Sequence, residues 1–347
     1  MKTPSEKNVS FDVIIAALLD ESKVLPPTYL YRLSDLSGPD FEKTKVVWNQ
    51  ISPARRRALL EDLEELSDND LTLSFDDLAF FTLEDPDDQV RTLAVRMLWQ
   101  YEDKHLAPIL LKMISEDPSE SVRSAAATGL GMFVYLGELE EIPVELAEEV
   151  QNKLTEIVAS TDTKLVRRHA LESLGYSNRP EVKALIENAF RSDKEWEISA
   201  LFAMGRTADP VQWGEKVLSK IDSPLDDVRT EAIRAAGELE LEEAREPLMD
   251  LLGEGAEDLD EDLRFTAIWS LSQIGGEGVR DLLEHLEEET EDDEESDFIA
   301  DALDNLSFTE EKLMFDMFGF DPSDTSAIEM DLDEKDLEED EDQDPKN

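Results

Sequence analysis

The sequence predicts an all-α protein built from repeated helical hairpins. A pattern centred on a small residue recurs at intervals of 32, 44, 30, 32, 35 and 35 residues, and periods of this length are typical of solenoids. Apolar residues stand four positions before and four positions after each small residue, which is the spacing of one helical face. No segment shows the strict alternation of a β-strand. The small residues, called the anchors below, are Ala94, Ala126, Ala170, Ala200, Ala232, Ala267 and Ala302.

Each anchor lies on the apolar face of a predicted helix. Around Ala232, Val228 and Ala236 stand one helical turn away on either side, and Ile233 completes the face. Alanine is expected where two helix axes approach to about 8–10 Å, because a larger side chain would push them apart. Enlarging an anchor, as in Ala232→Leu, should therefore cost about 1–3 kcal/mol through overpacking.

The sequence predicts that residues 1–74 form an N-terminal helical cap with an atypical repeat. Ser52 followed by Pro53 marks the start of a helix, because proline is favoured at the first helical position. The helix pair around this point has apolar stripes but no anchor, which is typical of a terminal repeat that covers the end of a solenoid. The expected segments are 11–19 and 26–36, followed by a helix pair at 39–51 and 53–66.

The sequence predicts that residues 75–309 form the regular repeats. Each repeat has a first helix, a short turn that is often acidic, and a second helix that carries the anchor. The turn Asp85–Asp88 is an example. The longest interval contains extra residues, 137–142, before a long helix. The first helices are expected at 75–83, 106–114, 144–158, 181–190, 211–221, 242–252 and 278–286.

The C-terminal residues 310–347 differ in character from the repeats. Residues 331–344 are almost continuously acidic, and charge of one sign at this density favours a largely disordered tail. An apolar island precedes this run. Two interpretations stay open: a solubilising tail, or a short motif that docks on a partner or on the chain's own groove. The motif residues would be Leu313, Phe315, Phe318 and Phe320.

The charge balance narrows the classes of partner. The chain has 33 Lys and Arg against 86 Asp and Glu, a net charge of −53. Nucleic acid and anionic membranes are disfavoured as partners, because their phosphates need clustered Lys and Arg. The acidity is explained either by solubility in a saline cytoplasm or by attraction of a basic protein partner.

Cysteine is absent from the sequence. This absence excludes disulfides, thiolate nucleophiles and cysteine-based metal sites, and it favours a cytoplasmic location. The apolar run near the N-terminus is too short and too closely flanked by acidic residues for a signal peptide. No apolar run reaches the length of a transmembrane helix.

The recurrent turn Asp, then Val-Arg, then Ala resembles HEAT repeats, and most of all the phycobilisome-lyase-like subset. The resemblance covers about residues 75–306. It implies a right-handed α-α superhelix of the HEAT/armadillo type whose second helices line the concave face. It also implies a ladder of ion pairs between repeats, each contributing no more than about 1 kcal/mol if solvated. Carried over, the ladder residues are Asp85, Arg91, Asp117, Arg123, Arg167, Arg229, Asp258 and Arg264, while Glu197 and Ile299 interrupt the series.

Positions one before, two after and six after each anchor should point away from the apolar face and line a groove. Phe202 and Trp269 occupy the same outward position in different repeats. Aromatic and arginine residues are enriched in the hot spots of protein interfaces, although neighbouring loops or the tail could instead cover both rings. The candidate partner-binding residues are Phe202, Arg206, Arg234, Trp269, Tyr176 and Gln273.

Signals for catalysis are weak. Deoxyhypusine hydroxylase, a HEAT-repeat enzyme, holds di-iron with His-Glu dyads, whereas His105, His169 and His285 here are each followed by an apolar residue. His169 and Glu172 have a spacing that can bind metal, but two polar side chains in contact with water explain the pair better. We therefore expect no enzyme activity, no cofactor and no dedicated metal site. The favoured function is a protein-interaction scaffold or adaptor, and the alternative is a lyase-like or chaperone-like protein that handles a cofactor such as a tetrapyrrole.

Overall fold

The computed structural model describes residues 9–99, 101–253 and 259–318, with side chains described as far as residue 309. These residues form helices and turns with no β-strand among them, so the predicted all-α helical-repeat class is confirmed. The helices are α1 (Phe11–Leu19), α2 (Gly38–Trp48), α3 (Pro53–Asn69), α4 (Asp76–Thr82), α5 (Asp88–Met97), α6 (Leu106–Glu116), α7 (Glu120–Glu138), α8 (Val144–Ala159), α9 (Lys164–Ser173), α10 (Pro180–Phe190), α11 (Lys194–Arg206), α12 (Pro210–Leu218), α13 (Asp226–Glu238), α14 (Arg245–Leu252), α15 (Glu261–Ile274), α16 (Val279–Glu289) and α17 (Asp293–Phe318).

Short 3₁₀ helices occupy positions where the chain changes direction. One covers Pro27–Leu33 and forms the second short segment of the cap, and another, Leu174–Tyr176, continues directly from α9. A third, Glu242–Ala244, replaces the first turn of the α-helix that the sequence predicts from residue 242. Such tight turns are common at helix ends. The turn after α9 carries Tyr176 out to the surface described below.

Side chains in the turns start the second helices. The Asp87 carboxylate accepts hydrogen bonds from the backbone N–H groups of Gln89 and Val90 at the start of α5. Thr163 and Asp193 cap α9 and α11 in the same way. A capping side chain satisfies a backbone donor that has no partner within the helix, which stabilises the helix by about 1 kcal/mol.

The anchors are buried as the sequence predicts. Each has no exposed surface. The anchor-carrying helices α5, α7, α9, α11, α13 and α15 contact one another in order, and α3 of the cap contacts α5 at the start of the series. The second helices of residues 1–274 thus form one continuous layer. We call the surface of this layer that turns away from the first helices the second-helix face.

A further series of small residues sets the spacing within this layer. The residue five positions after an anchor is often glycine, and it faces a small residue three positions after the next anchor. A Cβ placed on Gly237 would lie 2.7 Å from Cα of Ser270, closer than packed atoms tolerate. Alanine would therefore not fit without a shift of the backbone. The facing pairs are Gly131 with Ser173, Gly175 with Ala203, Gly205 with Ala235, and Gly237 with Ser270.

The cap shares its core with the first regular repeat. Buried residues of α1, α2 and α3 form one cluster with residues of α4 and α5. The buried carboxylate of Asp85 contacts Trp48 of this cluster. It accepts hydrogen bonds from Trp48 Nε1 at 2.6 Å, Arg56 Nη2 at 3.0 Å and the Asp87 backbone N–H at 2.8 Å. Its side chain has no exposed surface. The Asp85 carboxylate thus accepts three hydrogen bonds, and Arg56 donates to Asp85 and to the Ile51 backbone carbonyl, while its buried Nε has no partner among the described residues. A buried charge is tolerated when it is paired and hydrogen-bonded in this way.

The predicted ladder forms in the first repeats. Arg91 donates two hydrogen bonds to Asp117 of the next repeat at 2.9 and 2.8 Å. Arg123 continues the series with two hydrogen bonds to Asp162, a residue that the sequence did not single out. Farther along the chain Arg167 and Arg229 donate to the backbone carbonyls of Val158 and Ile221. Asp258 lies outside the described residues.

The chain divides into two compact units, residues 1–274 and residues 275–347. In the described part of the second unit α16 packs against α17, and Ala302 is fully buried. Helix α17 continues to Phe318 and so includes residues 310–318, which the sequence assigned to the tail. Of the predicted tail motif, Leu313, Phe315 and Phe318 lie in this helix, but their side chains are outside the description, and Phe320 is wholly outside it. No helix in the described residues has the length and hydropathy of a membrane span.

Candidate interaction surface on the second helices

The predicted groove residues come together in an aromatic–arginine stack, formed by Tyr176, Phe202, Arg206 and Arg234. The Arg206 guanidinium carbon lies 4.1 Å from the centre of the Phe202 ring and 4.9 Å from that of Tyr176. The Arg234 guanidinium carbon lies 4.3 Å from the Phe202 ring centre. Cation–π contacts of this kind hold a guanidinium over a ring and contribute about 0.5–2 kcal/mol each.

The register of the repeats explains why these side chains meet. Tyr176 and Arg206 each stand six positions after an anchor, and Phe202 and Arg234 each stand two positions after one. The stack therefore combines residues of three successive second helices. It depends on the close helix spacing at Gly175 and Gly205, because a Cβ at Gly175 would come within 3.1 Å of Cβ of Arg206.

Acidic side chains hold Arg234 in place. Its Nε donates to Glu231 at 3.1 Å, its Nη2 also contacts Glu231, and its Nη1 contacts Glu238. Partial burial works against the charge of Arg234, but these carboxylates outweigh it and raise the pKa of the guanidinium. Burial also raises the pKa of Glu238, against the opposing effect of Arg234. Arg234 and its two carboxylates thus form a closed cluster beside Phe202.

Arg206 lies in a different electrostatic setting. Its Nη1 reaches the backbone carbonyl of Glu172 at 3.5 Å, the outer limit of a hydrogen bond. Burial lowers the pKa of the Arg206 guanidinium and outweighs the opposing effects of Tyr176 and Glu238, while the charge of Arg234 acts in the same direction as burial. The aromatic rings, more than any carboxylate, therefore fix the position of Arg206.

The remaining predicted residues lie on α15. Trp269 is 37% exposed. Gln273 lies against α13, where its Oε1 is 2.6 Å from the position of a Cβ on Gly237. Trp269 and Gln273 therefore belong to the same second-helix face as the stack, and they extend it toward the C-terminal end of the first unit.

The second-helix face also contains a cleft that the sequence analysis missed. The cleft has a volume of about 470 Å³ and a mostly apolar lining. Trp99, which is 55% exposed, and Leu165, which is 38% exposed, form part of its wall. Trp99 stands five positions after its anchor, where the next four repeats have glycine. That break in the glycine series was the sequence signal for this site, and we call the site the Trp99 cleft.

Polar groups occupy a small part of the Trp99 cleft. His169 Nδ1 lies 2.7 Å from Ser124 Oγ and 3.2 Å from Thr128 Oγ1. Arg96 pairs with Glu64 at 2.8 Å on another wall. The predicted neighbour of His169, Glu172, instead accepts a hydrogen bond from Ser199. In the described part of the chain no group of three His, Asp or Glu residues is placed to hold a metal ion.

Comparison with known proteins supports the repeat architecture. The family profile described as HEAT repeats matches residues 77–144 and 214–306. No curated protein matches the chain. Among solved structures, the CpcE–CpcF complex of phycocyanin lyase from Nostoc sp. PCC7120 is 18% identical with a TM-score of 0.44, covering 67% of this chain and 94% of that one.

Two further solved structures are similar at the same level. The YIBA protein of E. coli is 19% identical with a TM-score of 0.38, and the match covers 67% of this chain and 92% of that one. Human deoxyhypusine hydroxylase is 18% identical with a TM-score of 0.31, and the match covers 78% of this chain and 96% of that one. Similarity at this level assigns no function to the chain.

Proposed function

We propose that this HEAT-repeat protein is a non-enzymatic adaptor that binds a segment of a protein partner along its second-helix face. The observation that carries the proposal is the aromatic–arginine stack, in which three successive second helices place Tyr176, Phe202 and two arginines on one surface. Tyrosine, tryptophan and arginine dominate the binding energy of protein interfaces, because they bury large areas and also form directed contacts.

The charges on this face favour a protein partner. The chain as a whole carries a net charge of −53, yet two arginines of the face are matched by nearby carboxylates. Arg96 pairs with Glu64, and Arg234 pairs with Glu231 and Glu238. The acidic remainder of the surface would steer a partner with an excess of basic residues toward the molecule. The face itself would then bind through apolar and hydrogen-bonding contacts.

Two separate contact points favour an elongated binding segment. The aromatic–arginine stack lies on α9, α11 and α13, whereas the Trp99 cleft lies between α5, α7 and α9. An extended peptide or a helix that crosses the second helices would reach both. Side chains inserted at two points also fix the register of a bound segment, which a single pocket does not do.

The proposal is tested by partner capture with matched variants. The full chain and its Phe202→Ala variant are used as bait, and captured proteins are identified by mass spectrometry. Val211→Ala is the control, because Val211 is 97% exposed and lies on α12, the first helix of its repeat and so outside the second-helix face. We expect a partner retained by the parent and the control and reduced at least about tenfold by Phe202→Ala, as for a hot-spot residue. Equal retention by all three baits, at equal melting temperature, would reject this face as the binding site.

The Trp99 cleft also supports a second candidate, a chaperone-like protein that handles a small planar cofactor such as a tetrapyrrole. Its volume of about 470 Å³ lies within the usual range for ligand pockets, about 300–1,000 Å³. In this case protein purified from its native host would carry a visible absorbance band that Trp99→Ala removes. A colourless preparation from that host would argue against this candidate and leave the adaptor proposal in place.

A further inference from the structure

Arg206 differs from the ladder arginines Arg91 and Arg123 in its hydrogen bonding. Arg91 and Arg123 each hold a carboxylate through two hydrogen bonds of 2.7–2.9 Å. Within the described residues, the only hydrogen-bond acceptor that Arg206 reaches is the Glu172 backbone carbonyl, at 3.5 Å. Its Nε and Nη2 have no acceptor among those residues, and they are not enclosed by the protein. The guanidinium therefore has donors to offer on the second-helix face.

The position of Arg206 is fixed before any ligand binds. Its guanidinium lies over the rings of Phe202 and Tyr176, with ring-centre distances of 4.1 and 4.9 Å. A planar fork held in this way loses little rotational freedom when it forms two hydrogen bonds. Partial burial also strengthens any pairing with an anion, because less water competes for the charge.

No carboxylate among the described residues forms an ion pair with Arg206, although Glu238 and Glu172 act on its charge at longer range. Glu231 and Glu238 contact Arg234. Glu172 turns its carboxylate toward Ser199 and presents its backbone carbonyl to Arg206. A single negative charge arriving at Arg206 would therefore be paired and would displace no existing contact.

We propose that Arg206 receives a carboxylate of the bound partner segment, with the Tyr176 and Phe202 rings packed against an apolar side chain next to it. The inference rests on the proposed function, since it names the chemical group by which the partner would be recognised. The planar, two-oxygen carboxylate matches the guanidinium fork in shape as well as in charge. A phosphate dianion fits less well, because Glu231 and Glu238 lie close by and would repel a second negative charge.

The carboxylate can belong to an Asp or Glu side chain or to a C-terminus, and the experiment uses a probe for each source. The probes are N-acetyl-phenylalanine, whose carboxylate is terminal, and the blocked dipeptide acetyl-Phe-Asp-amide, whose carboxylate is in the side chain. N-acetyl-phenylalanine amide and acetyl-Phe-Asn-amide are the matching neutral probes. Binding to the full chain is followed by NMR of the arginine Nε–H groups, with the Arg206 signal assigned from Arg206→Lys.

We expect at least one carboxylate probe to shift the Arg206 signal and to bind about tenfold more tightly than its neutral counterpart, which corresponds to one charge-assisted pair. Whichever carboxylate probe binds more tightly identifies the source. Arg206→Lys, which keeps the charge but loses the fork, should weaken binding of that probe about tenfold. Arg191→Lys is the control, because Arg191 is largely exposed and already pairs with Glu187. Equal binding of charged and neutral probes would overturn the inference.

The acidic C-terminal residues 331–344 are the competing occupant. If they filled the site, replacing their Asp and Glu residues by Asn and Gln in the full chain would move the Arg206 signal before any probe is added. That result would assign the site to this chain's own terminus and overturn the proposal of a partner carboxylate. The adaptor proposal is tested independently, because partner capture that depends on Phe202 can succeed even where Arg206 does not distinguish the probes.

Discussion

Replacing Gly237 by alanine tests whether glycine sets the spacing of the second helices. The added Cβ would lie 2.7 Å from Cα of Ser270 and 2.8 Å from its Cβ, and 2.6 Å from Oε1 of Gln273. Gln273 can move its side-chain end at low cost. Ser270 lies within α15, so Cα moves only when that helix shifts against α13.

Two effects of opposite sign determine the magnitude. Alanine favours the helix over glycine by about 0.8–1.0 kcal/mol. Overpacking that forces a backbone shift costs typically 1–3 kcal/mol. Because the clash involves backbone atoms at less than 3 Å, we place this variant at the upper end and expect a net loss of about 1–2 kcal/mol.

Gly214→Ala provides the matched control. Gly214 lies within α12, which is the first helix of its repeat. A Cβ added there would meet only the flexible end of the Leu241 side chain, at 3.3 Å. The gain in helix propensity should then prevail, so this variant should be as stable as the parent or more stable. Urea unfolding followed by circular dichroism, with hydrogen exchange of α13 and α15 as the local measurement, compares the two variants. Equal or greater stability of Gly237→Ala relative to Gly214→Ala would refute the glycine-spacing argument.

Three other substitutions probe the ion pairs of the first repeats. Asp85→Ala leaves Arg56 charged and buried without its carboxylate, and should cost about 3–5 kcal/mol in urea unfolding; a loss below 1 kcal/mol would contradict the buried network. Arg91→Met removes the pair with Asp117, which consists of two hydrogen bonds, and should increase hydrogen exchange of the backbone amides where α5 contacts α7. The control Arg191→Met, which removes an exposed ion pair with Glu187, should cause a smaller increase around its own position. The third substitution, Arg57→Met, tests an ion pair through its pH dependence. Arg57 lowers the pKa of Asp87 to about 2, from an ordinary value of 3.8. The pair therefore stabilises the fold above pH 4 and loses its effect as pH falls toward 2, so Arg57→Met should lower the melting temperature at pH 7 and leave it almost unchanged near pH 2.

The sequence predicts the parts of the fold that depend on one repeat at a time. The anchor Ala232, its apolar neighbours and the turn before them follow from helical periodicity, and the structure confirms their burial. The pairing of Gly237 with Ser270 was missed because it joins two repeats, and sequence spacing alone does not give the stagger between their helices. The same limit applies to the site. Phe202 was identified as outward-facing, but its contact with Arg206 and Arg234 depends on that stagger.

The glycine series and the aromatic–arginine stack are therefore two results of one geometric condition. Close approach at Gly205 brings α13 against α11, and the same approach places Glu238 of α13 against Gly205, where it contacts Arg234. A larger residue at position 205 would displace this carboxylate first and then the arginine over Phe202. In the first regular repeat Trp99 stands at the position of the glycine, and a cleft lies beside it, whereas the next four repeats have glycine there and pack closely. At this position of the repeat, tryptophan accompanies a cleft beside the second helices, whereas glycine at 175 and 205 accompanies the close approach that forms the stack.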